Sequence, residues 1–384
     1  MFDLRADPTL TEPRSASDLA DDRPRLGPRP LPLHVAYAEM AWRANNQEQL
    51  VDFFRGIKAY RDHPYRRAAS PRYSVWQAGG TRLEDYGPSD GWPLLVVPSL
   101  INRAYVLDLI PNAGLLSFLQ EGGVRPLLLD WGAPAPSDRR LILDDLVLGR
   151  LEVAFDWILD ETGQRPLMLG YCMGGVLATA LASRRPSDCA GLALLAAPWN
   201  FQEDQPALGH LGTVGHALAR FSGRIGSMPV DLLQTLFSSI DPMTVPRKFA
   251  NFAKIDPMSE AATRFVAIED WLNDGVPLGA DLAAECLIDW YGRNTPGLGE
   301  WKVGEHVVRP EQLDLPAFLA IPCRDRIVPA GSALALAALL PRAEIIRPQS
   351  GHIGMVAGKK AKEQLWKPLL AWLLQIAAMQ KSCG

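Results

Sequence analysis

The apolar positions of this chain change their period along its length. From Leu31 to about Arg61 they recur at helical spacing, which would bury Ala36, Met40, Leu50, Phe53 and Phe54. Tyr73–Gln77 and Thr81–Tyr86 read as short strands separated by Gly79-Gly80, a hairpin signal. Continuous apolar runs follow, each bounded by turn residues: Pro93–Pro98, Arg125–Asp130, Pro166–Tyr171 and Gly191–Ala197. Between them lie a short helix at Leu115–Gln120, ending at Gly122-Gly123, and longer ones at Asp144–Glu161 and Gly174–Arg184. In Asp144–Glu161 the apolar face is Leu148, Leu151, Ala154, Phe155 and Ile158. Fully apolar strands alternating with amphipathic helices predict an α/β protein with a mostly parallel sheet covered by helices on both faces.

The alternation stops at Pro198 and resumes at Pro316. The intervening stretch has helix-like pieces, Val230–Phe237 and Phe265–Leu272 among them, broken by Pro and Gly. It predicts an inserted, mostly helical cap over 198–314. Then come a strand at Pro316–Cys323, a helix at Ala330–Leu340, a strand at Glu344–Pro348 and a closing helix near Ala361–Met379, with Pro368 as the place for a kink or break. The implied organisation is a disordered segment over 1–30, a helix and hairpin over 31–92, a core in two parts over 93–197 and 315–384, and the cap between them. The disorder expectation rests on low hydrophobicity, mixed charge and five prolines. No internal repeat is visible.

Composition narrows the function. With 48% hydrophobic residues among 384, a sizeable core is available. The net charge of −4 and the absence of a Lys/Arg-rich run argue against nucleic-acid binding. The five cysteines (172, 189, 286, 323 and 383) show no C-x-x-C pair, so neither a disulfide framework nor a metal site is expected. A reducing compartment fits them best. The first thirty residues lack the apolar run of a signal peptide, and no stretch reaches the length of a membrane span. The expected location is cytoplasmic, with association with an apolar surface left open.

The sharpest chemical feature is Gly170-Tyr171-Cys172-Met173-Gly174-Gly175, between an apolar strand and a helix. It has the G-x-S-x-G pattern of a nucleophile elbow with sulfur in place of oxygen. Small residues flank such a nucleophile because the turn is tight and backbones approach closely. The helix N-terminus there favours a thiolate, and the Met173 N–H would face a developing oxyanion. In this α/β-hydrolase plan the base and its orienting acid follow the nucleophile in chain order at later strand ends. Asp325 follows Pro316–Cys323, and His352 follows Glu344–Pro348. Against this stand a buried structural cysteine and two ordinary loop residues. His34, His63, His210, His216 and His306 read as surface or cap residues, and Asp130, which precedes the nucleophile, as the weaker acid. Cys189, Cys286, Cys323 and Cys383 lack an elbow. A second oxyanion donor is expected from the backbone of Leu100 or Ile101, in the loop after Pro93–Pro98. Asn102 and Arg103 either steady that loop, touch substrate, or are plain loop polarity.

At these residues the chain resembles the polyhydroxyalkanoate synthase family. The resemblance is carried by 96–109 (VVPSLINRAYVLDL), 127–134 (LLLDWGAP), 138–149 (DRRLILDDLVLG), 170–175 (GYCMGG), 325–329 (DRIVP) and 351–361 (GHIGMVAGKKA). It runs from about Leu94 to Leu374 and includes 265–275 (FVAIEDWLNDG). The length is similar to that of the catalytic subunit of two-subunit synthases. The resemblance implies acyl transfer from a 3-hydroxyacyl-coenzyme A thioester to cysteine, then polyester growth by attack of a hydroxyl. It implies no cofactor beyond that substrate. The growing polyester, a second synthase subunit or a second copy, and a polymer-granule surface are the implied partners. Residues 31–61 and Asn200 to Arg247 fall outside the clear resemblance.

Two rival readings differ in chemistry. One is a cysteine-dependent hydrolase: a polyester depolymerase, a thioesterase or an enzyme like dienelactone hydrolase. In the last the acid follows the nucleophile closely, whereas here Asp325 lies 153 residues on. The other is a granule-associated binding protein with a decayed site, against which stand intact Cys172, Asp325 and His352.

Overall fold

The computed structural model describes residues 24–68, 72–203 and 206–383. Its centre is an eight-stranded sheet. In chain order the strands are β1 (Tyr73–Ala78), β2 (Thr81–Asp85), β3 (Trp92–Val97), β4 (Val124–Asp130), β5 (Leu167–Tyr171), β6 (Gly191–Leu195), β7 (Ala317–Ala320) and β8 (Ala343–Ile346). In space they run β1-β2-β4-β3-β5-β6-β7-β8. The β1/β2 and β2/β4 pairs are antiparallel, and all others are parallel. The apolar runs seen in the sequence are the central strands. Every residue of β3, β5 and β6 is buried, as expected of strands covered on both faces. This is the α/β plan read from the sequence.

The order also locates a crevice. The chain steps from β3 outward to β4, then returns across β3 to β5 and continues the other way. Strand order thus reverses between β3 and β5, and ligands of open α/β sheets bind outside the carboxyl ends at such a point. The loop after β3 and the turn after β5 meet there.

Between β6 and β7 the chain leaves the sheet. Helices Pro206–Ile225, Val230–Ile240, Thr244–Phe252, Glu260–Asn273 and Ala280–Glu285 follow one another, the last continuing into a π turn at Cys286–Gly292. A second, smaller apolar cluster joins this insertion to the N-terminal helices. Ala38, Trp42, Phe53, Ile57 and Tyr60 pack against Phe249, Ala250, Phe252, Ala262 and Val266. Among the described residues no helix is long and apolar enough to cross a membrane.

Several sequence expectations need correction. The helix expected over 31–61 is two helices, Leu31–Trp42 and Gln47–Asp62, with Asn46 capping the second through its side chain. The buried stripe of the first is His34, Ala38 and Trp42, while Ala36 and Met40 face solvent and Phe54 is exposed in the second. The break at 43–46 resets the helical phase, so a single periodicity mispaired the faces. His34 and His63 are buried, not surface residues. Each ring contacts a backbone carbonyl, that of Arg29 and Pro257 respectively. Burial lowers His34 to about 4, so that ring is a neutral packing element.

Of the segment expected to be disordered, residues 1–23 lie outside the described residues. The remainder is pinned. The Arg25 guanidinium makes two 2.6 Å contacts with Asp270 and donates to the His63 carbonyl, and Asn273 donates to the Gly27 carbonyl. Pro368 does not break the closing helix. A π turn at Lys362–Trp366 precedes it, and Lys367–Cys383 runs on. The π turn shifts the backbone bonding there, with the Lys367 N–H on the Lys362 carbonyl, and the helix accommodates the missing proline N–H next to it.

The tightest joint between the N-terminal helices and the insertion is at Gly56. A Cβ added there would lie 1.9 Å from the Phe249 carbonyl oxygen. On an exposed helix Gly→Ala is favourable by up to about 1 kcal/mol. Here the clash reverses the sign. Gly56→Ala is expected to destabilise by about 1–3 kcal/mol, read as a lower urea midpoint, and a stabilised variant would contradict this packing.

Candidate active site

β5 ends at Tyr171, and the helix Met173–Arg184 begins two residues later, so Cys172 alone makes the turn. Its φ of 54° and ψ of −128° lie outside the regions an L-residue prefers. Such a residue persists only where its surroundings over-determine it. The neighbouring glycines show how. A Cβ on Gly170 would lie 2.4 Å from Gly175 Cα, and one on Gly174 2.2 Å from the Val97 oxygen. The first helical turn therefore sits directly on the ends of β5 and β3. The Cys172 N–H donates to the Leu195 carbonyl at 2.9 Å, and its carbonyl accepts from the Gly175 N–H at 2.9 Å. The turn holds the thiol at the head of a helix, and Met173, as the first helical residue, has an N–H without an intrahelical acceptor.

Asp325 stands in the loop after β7. Its Oδ1 accepts from the N–H groups of Ile327 and Val328 at 2.8 and 2.9 Å. Its Oδ2 lies 2.6 Å from His352 Nδ1, and the carboxylate is wholly buried. His352 opens the short helix His352–Ala357 after β8. With Nδ1 engaged by Asp325, Nε2 is the nitrogen left to face Cys172, which lines the same cavity as His352. The Tyr171 ring lies 5.1 Å from that of His352 at 35° and fixes its plane. Burial pulls the His352 pKa down. The charges and hydrogen bonds of Asp325 and Cys172 outweigh it and raise the value well above the ordinary range.

The loop after β3 completes the site. Ser99, Ile101, Asn102 and Arg103 line a cavity with Cys172, Met173 and His352. That cavity holds about 940 Å³ of empty space, part of it open to solvent. The insertion supplies another wall through Gln234, Phe237, Trp271 and Tyr291, and only 9% of Cys172 remains exposed. The same insertion grips the loop. Gln234 donates to Asn102 Oδ1 at 3.2 Å, Trp271 Nε1 to the Arg103 carbonyl at 2.7 Å, and Arg103 pairs with Asp274 at 3.1 Å. Asn102 and Arg103 thus steady the loop.

Of the two backbone donors named from the sequence, Ile101 is on the cavity wall, and its N–H donates to Ser99 Oγ at 3.2 Å. Leu100 is buried off the wall. Asp130 is not brought to His352. Its Oδ1 accepts from the Gly132 N–H beyond β4. Burial pushes the Cys189 thiol up to about 12 and raises that of Cys286 too. Cys323 is exposed. His216 is exposed, and His306 contacts Ser183. The side chains of His210 and Cys383 lie outside those described.

Sequence reasoning missed Tyr171 as a ring support, Ser99 as the acceptor inside the loop, and the cap residues Gln234, Phe237, Trp271 and Tyr291. Tyr171 was legible as the residue before the elbow. The cap residues carried no signal, because helical periodicity tells which residues share a face but not what that face covers.

The fold and site define an α/β-hydrolase. The chain belongs to the alpha/beta hydrolase fold family, which matches residues 93–358. Two solved structures share the fold. A protein described as a non-heme bromoperoxidase from Mycobacterium tuberculosis has a TM-score of 0.53 at 13% identity, covering 78% of this chain and 97% of that one. A monoacylglycerol lipase of Paleococcus ferrophilus has 0.51 at 18%, covering 77% and 99%.

Within that family its sequence is similar to poly(3-hydroxyalkanoate) polymerase subunits PhaC, so the resemblance read from the motifs is borne out. The Haloferax mediterranei subunit is 29% identical over 74% of this chain, which spans only 58% of that protein's length. The Synechocystis subunit is 29% identical over 85% of this chain and 90% of its own length. That of Allochromatium vinosum is 25% identical over 79% and 88%.

The raised His352 pKa carries a checkable sign. A raised folded value contributes stability that is complete below the unfolded pKa of about 6.5 and is lost as pH rises through the folded value. Asp325 is the leading cause of the rise. In Asp325→Asn, burial is left less opposed, and the imidazole pKa should fall. Ring titration by NMR reads this directly, and an unmoved His352 titration would contradict the pairing.

Proposed function

We propose that this chain is a poly(3-hydroxyalkanoate) synthase-like acyltransferase that carries its acyl group on Cys172. The observation that carries the reading is a cysteine at a strained elbow, sharing a cavity wall with the His352 of the His352–Asp325 pair and covered by a helical insertion. The relatives' names supply the reaction class, and the chemistry of sulfur agrees with it.

In the first half-reaction His352 takes the thiol proton and Cys172 Sγ attacks the carbonyl of a 3-hydroxyacyl-coenzyme A thioester. A new C–S bond forms, the bond to coenzyme A sulfur breaks, and the leaving thiolate takes the proton back from His352. One thioester replaces another, so the step is nearly balanced and the acyl group stays reactive. The tetrahedral oxyanion is met by the N–H of Met173 and by that of Ile101, which exchanges its long bond to Ser99 for the substrate. Ile101 is preferred to Leu100 because it stands on the cavity wall.

In the second half-reaction a 3-hydroxyl oxygen attacks the Cys172 thioester. His352 accepts the hydroxyl proton and returns it to sulfur, and an ester bond extends the chain. Asp325 holds the imidazole tautomer and balances its charge. Low exposure of Cys172 disfavours water as the competing acceptor. No further cofactor is required by this scheme. The growing polyester at a granule surface in the cytoplasm, and a second synthase subunit or a second copy, are its proposed partners.

The test is coenzyme A release from a 3-hydroxyacyl thioester, with the acyl product recovered as polymer or free acid. Cys172→Ala should abolish release, whereas Cys189→Ala, Cys286→Ala and Cys323→Ala should retain it. His352→Ala should lower the rate by about 10²–10⁴-fold. Recovery of free acid alone would turn the reading to a hydrolase, and full release by Cys172→Ala would remove the cysteine from the mechanism.

A further inference from the structure

A second cavity adjoins the first. It holds about 500 Å³ of empty space, and Ile101, Met173, Phe237 and Tyr291 belong to the walls of both. The rest of its lining comes from the insertion, Leu236 and Ala283 among it. Among the described residues none of its wall side chains is charged. The first cavity differs. Arg103, Glu203, Asn102, Asn200 and His352 all reach its wall.

We propose, resting on the acyl-transfer reading, that this second cavity receives the alkyl substituent of the acyl group. The substrate class is then 3-hydroxyacyl thioesters with linear alkyl chains several carbons longer than a methyl. The position of Met173 and Ile101 carries the argument. Their N–H groups are the ones assigned to the acyl oxygen, so the acyl carbon sits beside the wall that the two cavities share. From there one route meets charged and amide side chains set among apolar ones, and the other meets apolar walls with only Tyr291 and Cys286 to interrupt them. Coenzyme A, with its phosphates and amides, would lose hydration without compensation in the apolar cavity. A polyester backbone carries an ester carbonyl in every repeat, and among these wall side chains Tyr291 has the one hydroxyl to meet them. An alkyl chain needs no donor, and each methylene removed from water is worth about a fourfold gain.

The insertion therefore does more than cover the thiol. Ala283, fully buried, and Leu236, half-buried, both line this wall, so a larger side chain at the first would take space from the cavity and a smaller one at the second would add it. Most of the wall is supplied by cap residues rather than by the elbow, so chain-length selection can be varied apart from the chemistry.

The experiment compares kcat/KM for 3-hydroxyoctanoyl- and 3-hydroxybutyryl-coenzyme A in the full chain, in Ala283→Leu and in Leu236→Ala, with melting temperatures taken alongside. The wild-type ratio should favour the longer chain by at least about tenfold, given four extra methylenes. Ala283→Leu should cut that ratio by about tenfold or more. Leu236→Ala should move the optimum to 3-hydroxydecanoyl. Turnover of the short substrate with a ratio near one that neither variant moves overturns this inference and leaves the acyl-transfer reading standing. If neither thioester is turned over, the acyl-transfer reading fails, and the cavity is judged by labelling. Methyl and n-octyl methanethiosulfonate each form a mixed disulfide with the Cys172 sulfur and release methanesulfinate. Faster octyl labelling that Ala283→Leu removes would support the cavity's role, and equal rates would overturn it. Should Ala283→Leu unfold, Leu236→Ala carries the comparison.

Discussion

The close approach of the helix Met173–Arg184 to the ends of β3 and β5 is the constraint on which the rest depends. With Gly174 against the Val97 carbonyl and Gly170 against Gly175, no side chain fits at either position. That contact forces Cys172 into a positive φ. A residue so placed costs about 1–3 kcal/mol, and the buried strands around it absorb the cost. In return the sulfur stands clear of the sheet at the reversal of strand order, at a helix N-terminus and within reach of loops from both halves of the core. Moving the helix outward by a methyl group would carry away the Met173 N–H and the sulfur together.

Around this fixed point the other parts are held by charge and by the insertion. Asp325 is buried with three hydrogen bonds, two from its own loop and one with His352. A carboxylate so satisfied pays its desolvation through neighbours rather than water, and it sets the tautomer of a ring that Tyr171 braces. The loop after β3 has fewer bonds of its own. Gln234, Trp271 and Asp274 supply them from the insertion, and the insertion leans in turn on the N-terminal part of the chain, on the helix Gln47–Asp62 through Gly56 and on the segment before the helices through Arg25. Residues far from the sulfur thus set the position of the loop that carries Ile101.

Much of this was legible in the sequence, for physical reasons that can be named. Buried parallel strands must be apolar throughout, so PLLVVP, RPLLLD and PLMLGY announced β3, β4 and β5. An elbow permits no side chain at its flanks, so Gly170 and Gly174 marked the turn. Asp325 and His352 were found by chain order, and the structure pairs them at 2.6 Å with His352 on the cavity wall it shares with Cys172. What was not legible depends on contacts between elements. The buried stripe His34, Ala38 and Trp42 was mispaired because a cap at Asn46 resets the helical phase. Arg25 was taken for part of a disordered tail because its partner, Asp270, is distant in sequence. Pro368 promised a break that an adjacent π turn absorbs. The walls of both cavities were out of reach, because Phe237, Tyr291 and Ala283 read as ordinary helical residues until the helices are placed.

The central claim is that an acyl group passes through Cys172. The most direct measurement is rapid quench of the protein with one equivalent of a 3-hydroxyacyl-coenzyme A, followed by peptide mapping by mass spectrometry. The account predicts a 3-hydroxyacyl thioester on the peptide containing Cys172, formed as coenzyme A appears and persisting longer in Asp325→Asn. Release of coenzyme A with the acyl group on another residue, or on none at any time, would contradict it.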